Sequence, residues 1–191
     1  MYRHRLPHRA WILSLLLTGP AGAADSPALA QTCAPCHGVN GVSAGDLMPS
    51  IAGLNRHYLE TALLEYLGDN RDATLMGRLA KGYSKAQLQA LAEFYAAQPW
   101  VPALVQADPQ QAAKGRLLHE DLCATCHPDG GRGQLKDAPR LAGQWPAFLQ
   151  LYLEDCRAKG SECHPRRMGS RVRGLSDEDL RDLAQFYAGE Q

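Results

Sequence analysis

Apolar residues recur along this chain at helical spacing, and the same stripe is written twice. Leu88, Leu91, Ala92 and Tyr95 fall at i, i+3, i+4 and i+7, and Leu180, Leu183, Ala184 and Tyr187 repeat that spacing. The period puts each set on one face of an amphipathic helix, where it is most simply core. Ser84 with Gln87, and Ser176 with Asp179, stand at the starts of the two stripes in a pattern close to a capping box. Further helices are predicted from about Pro27 toward Cys33, from Asp108-Pro109 toward Cys123, across 56–67 and across 146–157. No alternating strand pattern competes, so the expected fold class is all-α.

The duplication extends beyond the helices. Pro49-Ser50-Ile51-Ala52-Gly53 returns ninety residues later as Pro139-Arg140-Leu141-Ala142-Gly143, and Tyr58-Leu59 returns as Phe148-Leu149. Met76-Gly77 and Met168-Gly169 match at an offset of ninety-two, so two residues are inserted between Leu149 and Met168. That stretch holds Cys156 and Cys163, which are spaced for a local disulfide that would pin an enlarged loop. Two prolines in Gln98-Pro99-Trp100-Val101-Pro102 break the helical pattern and supply a linker. The expected architecture is two small helical domains in tandem, 24–100 and 101–191.

The 191-residue chain balances 20 Lys and Arg against 20 Asp and Glu, but its ends differ. Arg3, Arg5 and Arg9 precede an apolar run from Trp11 to Leu17 and then Ala21-Gly22-Ala23. This reads as a cleaved signal peptide over 1–23 rather than a membrane anchor, because the apolar run is too short to span a bilayer. The expected location is the periplasm, with no transmembrane anchor in the mature protein. Removing 1–23 leaves 17 basic against 20 acidic residues, a net of −3. Nucleic acid and anionic membrane, which select clustered positive charge, are not expected partners. Halves of this size bury little core, so each is expected to need a disulfide, metal or cofactor.

The cysteines say which. Cys33-Ala34-Pro35-Cys36-His37 recurs as Cys123-Ala124-Thr125-Cys126-His127, the attachment pattern of a c-type haem. Two thiols a short reach apart capture two vinyl groups, and the adjacent imidazole becomes the proximal iron ligand. A thioredoxin-type pair or half a zinc site uses the same thiol spacing, but neither needs the histidine. Two covalently bound c-type haems are expected.

A sixth ligand must come from later in the chain. Met76 and Met168 follow His37 and His127 by 39 and 41 residues, and each precedes one of the matched terminal helices. Met48 lies only eleven residues after His37, in a loop beside proline. Soft thioether sulfur suits low-spin iron, raises its potential and leaves no open position for a substrate. The expected chemistry is electron transfer rather than catalysis, which argues against a dihaem peroxidase. His164, four residues before Met168, is the rival ligand in the second half. His57 and His119 have no repeated counterpart and are expected at the surface. The Pro49 and Pro139 carbonyls are candidates to receive the ligand histidines' other N–H. Arg78, Lys81 and Lys85 surround the first methionine, and Arg166, Arg167, Arg171 and Arg173 the second. Such groups are solvated charges, counter-ions for propionates, or a docking rim for an acidic partner.

These features resemble the dihaem class-one cytochromes c, a group that includes free shuttles of the c-four class. The segments 75–84 and 141–145 resemble in particular the cytochrome subunit of flavocytochrome c sulfide dehydrogenase. That resemblance implies an electron-accepting partner of a flavoprotein subunit that oxidises sulfide, passing electrons on to a soluble cytochrome c. It places haem attachment on Cys33, Cys36, Cys123 and Cys126, and iron ligation on His37, Met76, His127 and Met168. Cys156 to His164 depart from the family pattern. The alternative is a free c-four-type dihaem shuttle to a terminal oxidase.

Overall fold

The computed structural model describes residues 26–190, so the expected signal peptide lies outside the described residues. Helices follow in the order α1 Ser26–Ala30, α2 Ala34–His37, α3 Arg56–Leu67, α4 Met76–Ala80, α5 Lys85–Ala96, α6 Pro109–Leu118, α7 Pro146–Lys159, α8 Arg166–Val172 and α9 Asp177–Gly189. Among the described residues there is no β-strand.

Local chemistry sets most of these limits. Ser84 and Ser176 each form a complete capping box, with Gln87 and Asp179. Asn55 accepts from Tyr58 N–H at 2.8 Å to start α3. Asp108 accepts from the N–H groups of Gln110 and Gln111, both at 2.9 Å, while Pro109 occupies the first turn, where its missing N–H costs nothing. The helix expected to run unbroken from Pro27 into Cys33 is instead interrupted. α1 ends at Ala30, and α2 begins at Ala34 with Pro35 in its first turn, the part of a helix that tolerates proline. In the second half Thr125 stands in place of Pro35, and the entry is a π-helical turn, His119–Cys123.

Each half has its own core. In the first, Leu59 of α3 and Leu88, Leu91, Ala92 and Tyr95 of α5 close on Ala30 and Leu54. In the second, Leu149 and Leu153 of α7 meet Val172 of α8 and Leu180, Leu183, Ala184, Phe186 and Tyr187 of α9. Burying a leucine of this kind contributes about 1.5–3 kcal/mol. The repeat is reproduced in the backbone: Gly41 O accepts from Ile51 and Ala52, and Gly131 O from Leu141 and Ala142, at 2.8 and 3.1 Å in both halves. Glycine is required at both, because φ is +82° and +84° and a Cβ would come within 2.8 Å of the Tyr95 ring and 2.7 Å of the Tyr187 ring.

The 99–108 segment has no regular structure, yet it is packed rather than free. Ala103 N–H donates to Gly143 O at 2.7 Å, and the Arg140 guanidinium lies 5.3 Å from the Trp100 ring centre. Cys156 and Cys163 form the expected disulfide, both 2% exposed. It bridges the end of α7 and the turn before α8. Replacing both by serine is expected to cost about 2 kcal/mol of chain entropy for so short a loop, read as a lower urea midpoint. An unchanged midpoint would mean that the bridge does not constrain the unfolded chain.

Candidate haem sites

The proximal side is built the same way in both halves. A helical turn after the first cysteine brings both thiols and the histidine to one end of the domain. His37 is 8% exposed and His127 is 4% exposed. His37 Nδ1 lies 2.9 Å from Pro49 O, and His127 Nδ1 lies 2.9 Å from Pro139 O. A carbonyl can only accept, so each Nδ1 carries the proton and each Nε2 keeps its lone pair for a metal. Burial pushes both imidazoles below their ordinary pKa, and the proline carbonyls oppose that shift. Both rings are therefore neutral near pH 7, the form that ligates. The thiols of Cys33, Cys36, Cys123 and Cys126 are unpaired.

In the second half a cavity of about 300 Å³ opens between the two predicted faces. Cys123, Cys126 and His127 line one side, and Met168, Val172 and Leu175 line another. Two free thiols, an imidazole with a free Nε2, a thioether and apolar walls form a donor set that fits a covalently bound haem. His164, the rival ligand, lies elsewhere. It lines a smaller cavity of about 90 Å³ with Arg71 and Tyr152, and its Nδ1 faces Glu65 at 3.8 Å. In the first half Met76 opens α4, half-buried between the exposed Leu75 and Leu79, while Met48 is 39% exposed.

One expectation is corrected. His119 is not a surface residue: it is 3% exposed, and its Nδ1 pairs with the Tyr187 hydroxyl at 2.9 Å. The π-helical turn carries it inward, and burial lowers its pKa. The repeat offset aligns His119 with Leu29, which packs on the first core, and that alignment is the signal that could have placed it. His57 is half-exposed beside Asp137, as expected.

Two further residues have no role assigned to them by the sequence. Arg71 lies between the halves, its guanidinium near the hydroxyls of Tyr58 and Tyr152 at 3.5 and 3.4 Å and paired with Glu65 at 3.6 Å. Gln144, 3% exposed, hydrogen-bonds across to Ser50. The surfaces beside the two methionines also differ. Arg166, Arg167, Arg171 and Arg173 are all exposed, and Arg167 and Arg171 reach the edge of the larger cavity. In the first half Lys81 is neutralised by Asp69 at 2.7 Å, and Leu75 and Leu79 are 54% and 51% exposed.

Comparison with known proteins agrees with this geometry. Residues 110–186 match the family model described as cytochrome C oxidase, cbb3-type, subunit III. Cytochrome c4 of Thiocapsa roseopersicina is 31% identical over 169 residues, 82% of this chain and 86% of that protein. The thiosulfate dehydrogenase electron acceptor of Thiomonas intermedia is 31% identical over 93% of this chain and 87% of its own length. The cytochrome subunit of sulfide dehydrogenase from Chlorobaculum tepidum is 42% identical over 67 residues, 35% of this chain and 60% of that protein. The crystal structure of reduced recombinant cytochrome c4 from Pseudomonas stutzeri superposes with a TM-score of 0.77 at 25% identity, covering 88% of this chain and 100% of that one.

Two duplicated helical units, each with a Cys-x-x-Cys-His site, define a dihaem class-one cytochrome c. The chain belongs to the cytochrome c4 family. It carries two covalent c-type haems and is an electron-transfer protein of the cytochrome c4 type. Among the described residues no helix is long and apolar enough to cross a membrane.

Proposed function

We propose that this protein is a periplasmic electron acceptor for a flavoprotein sulfide dehydrogenase, exported by cleavage of 1–23, which passes electrons to a soluble cytochrome c. Residues 24–100 and 101–191 each hold one haem. Cys33, Cys36, Cys123 and Cys126 form the thioether bonds. His37 and His127 would offer Nε2 to the iron, and Met76 and Met168 would offer sulfur. When bound, each haem supplies a one-electron couple. The proline carbonyls hold the imidazole rings, the methionines would supply the remaining donors, and Met168, Val172 and Leu175 give the second half's cavity an apolar wall. The observation that carries this reading is the pairing of His127 and Met168 around one cavity, with His164 outside it.

The donor assignment is supported by the stretch that is 42% identical to a cytochrome subunit of sulfide dehydrogenase. A free c4-type shuttle to a terminal oxidase is the second reading, favoured by similarity to cytochrome c4 along 82% of the chain. Capture of the haem-loaded protein from its own periplasm separates the two. A flavin-containing partner with sulfide-dependent haem reduction is the expected result. Recovery of the protein alone, reduced only by other cytochromes, would favour the shuttle. A flavin-free partner that reduces the haems with thiosulfate would move the donor to the class of the Thiomonas relative.

The exposed arginines beside Met168, which form no ion pair among the described residues, make the second half the natural port for an acidic acceptor. Arg166→Glu with Arg173→Glu is expected to slow electron transfer to an acidic soluble acceptor about tenfold at low ionic strength and to flatten its salt dependence. Stopped-flow rates at several salt concentrations read both effects. An unchanged rate would assign these arginines to solvent.

A further inference from the structure

The loop that orients His37 is gripped from the other half of the molecule. Pro49, whose carbonyl faces His37 Nδ1 at 2.9 Å, is followed by Ser50, which is 2% exposed. Ser50 N–H donates to Gln144 Oε1 at 2.9 Å, and Ser50 O accepts from Gln144 Nε2 at 2.9 Å. One side-chain amide thus satisfies both main-chain groups of a single buried residue. Gln144 is itself 3% exposed, so no bulk water stands ready to replace either bond. The surrounding contacts hold the same loop: Ser43 N–H donates to Ser50 Oγ at 3.2 Å, Trp145 Nε1 donates to Ser43 O at 3.1 Å, and Phe148 N–H donates to Asp46 O at 2.9 Å.

The halves also bond through Asn55 of the first, whose Nδ2 donates to Leu135 O of the second at 2.9 Å, but the repeat shows that the Gln144–Ser50 pairing has no reciprocal counterpart. At the ninety-residue offset Gln144 corresponds to Leu54, a residue of the first half's own core. Ser50 corresponds to Arg140, whose Nε donates at 3.0 Å to Ala142 O within its own half and whose guanidinium covers Trp100. A buried amide therefore stands where the duplicate has leucine, and it is satisfied by the segment next to the first half's histidine. The second half holds the first half's proximal loop, and the corresponding bond in the other direction is not made.

We propose that Gln144 is a positioning residue for the iron ligand of the first half, acting across the interface through Ser50 and the Pro49 carbonyl on His37. The inference rests on His37 being the proximal ligand, as argued above. An Nδ1–H bond to a firmly held carbonyl makes the imidazole a stronger donor and favours the oxidised metal. Loosening the carbonyl therefore favours the reduced metal, in the half that does not contain the substitution.

The test is Gln144→Leu, which installs the residue the first half has at this position, in the haem-loaded protein. Potentiometric titration is expected to show the first half's reduction equilibrium moved about threefold toward the reduced form, with the second half's unchanged. Proton spectra of the oxidised protein are expected to show the His37 ring signals displaced and the His127 signals in place. Trp145→Phe, which removes the bond to Ser43 O and leaves both Gln144 bonds to Ser50 in place, is expected to move the His37 signals much less. Gln144→Asn, too short to keep both bonds, replaces Gln144→Leu if that variant does not fold. If His37 signals are present but unmoved, or if Trp145→Phe moves them equally, the role of Gln144 is overturned while the ligand assignment stands. If no His37 ring signal is shifted by the metal in the parent protein, the ligand assignment fails and this inference falls with it.

Discussion

Replacing Met168 by alanine is expected to abolish half of the thioether-to-iron absorption at the red end of the oxidised spectrum. It should also move one of the two reduction equilibria toward the oxidised form by on the order of a hundredfold. Helix α8, Arg166–Val172, places Met168 on the cavity lined by His127, Cys123 and Cys126. Its position is set by packing. A Cβ on the next residue, Gly169, would come within 1.6 Å of Gly160 O and 3.2 Å of Cys163 Cβ, so only glycine lets α8 lie against the disulfide-clipped turn. Thioether sulfur favours the reduced metal, so its loss lowers the potential. His164→Ala is expected to leave the band and both potentials unchanged, because that imidazole faces Glu65 and the smaller cavity. Optical spectra and redox titrations of the two variants read the result. Loss of the band in His164→Ala but not Met168→Ala would reverse the assignment.

Gly115→Ala is expected to be strongly damaging to the second half, costing about 3 kcal/mol or more. Gly115 lies on α6 where it crosses α9, and a Cβ there would stand 2.1 Å from the Asp182 carbonyl oxygen and 2.8 Å from Phe186 Cβ. Neither neighbour is the free end of a flexible side chain. Asp182 O belongs to the interior of α9, so the helices must separate by about an ångström to reach van der Waals contact. Separation would expose the ring of Phe186 and disturb the Arg116 guanidinium, 5.1 Å from its centre, as well as the His119–Tyr187 pair. For a unit of this size the midpoint should fall by at least about 10 °C. Gly174→Ala, whose Cβ meets nothing within 4 Å, serves as the control and is expected to change little. A Gly115→Ala protein melting with the parent would mean that the crossing is looser than this packing requires.

What was legible in the sequence was local or duplicated. The stripes of α5 and α9, their capping boxes, the 56–67 helix and the Cys156–Cys163 pairing all depend on residues within a few positions of each other. The Pro49 and Pro139 carbonyls gained their meaning from recurring twelve residues after each histidine. The short helices α4 and α8 were not anticipated, because neither carries enough turns to show a period. The break before Cys33 was missed because a proline in a first turn reads the same as one inside a longer helix. His119 was misplaced because its partner, Tyr187, is 68 residues away. Gln144 and Arg71 were invisible for the same reason. Contacts that join Gln144 to Ser50 across 94 residues, or Arg71 to Tyr152 across 81, leave no periodic trace. The duplication offered an indirect sign in Gln144, an amide aligned with a core leucine.

Closure of both irons by Met76 and Met168, as proposed above, would suit the protein to carrying electrons. Proton spectroscopy of the fully reduced haem-loaded protein tests it most directly, because a methyl group on an axial sulfur sits over the haem ring current and is driven far upfield. Two such three-proton signals, one lost in Met76→Ala and the other in Met168→Ala, are the predicted result. A single signal, or none, would leave an iron with a different or displaceable ligand and would contradict the account.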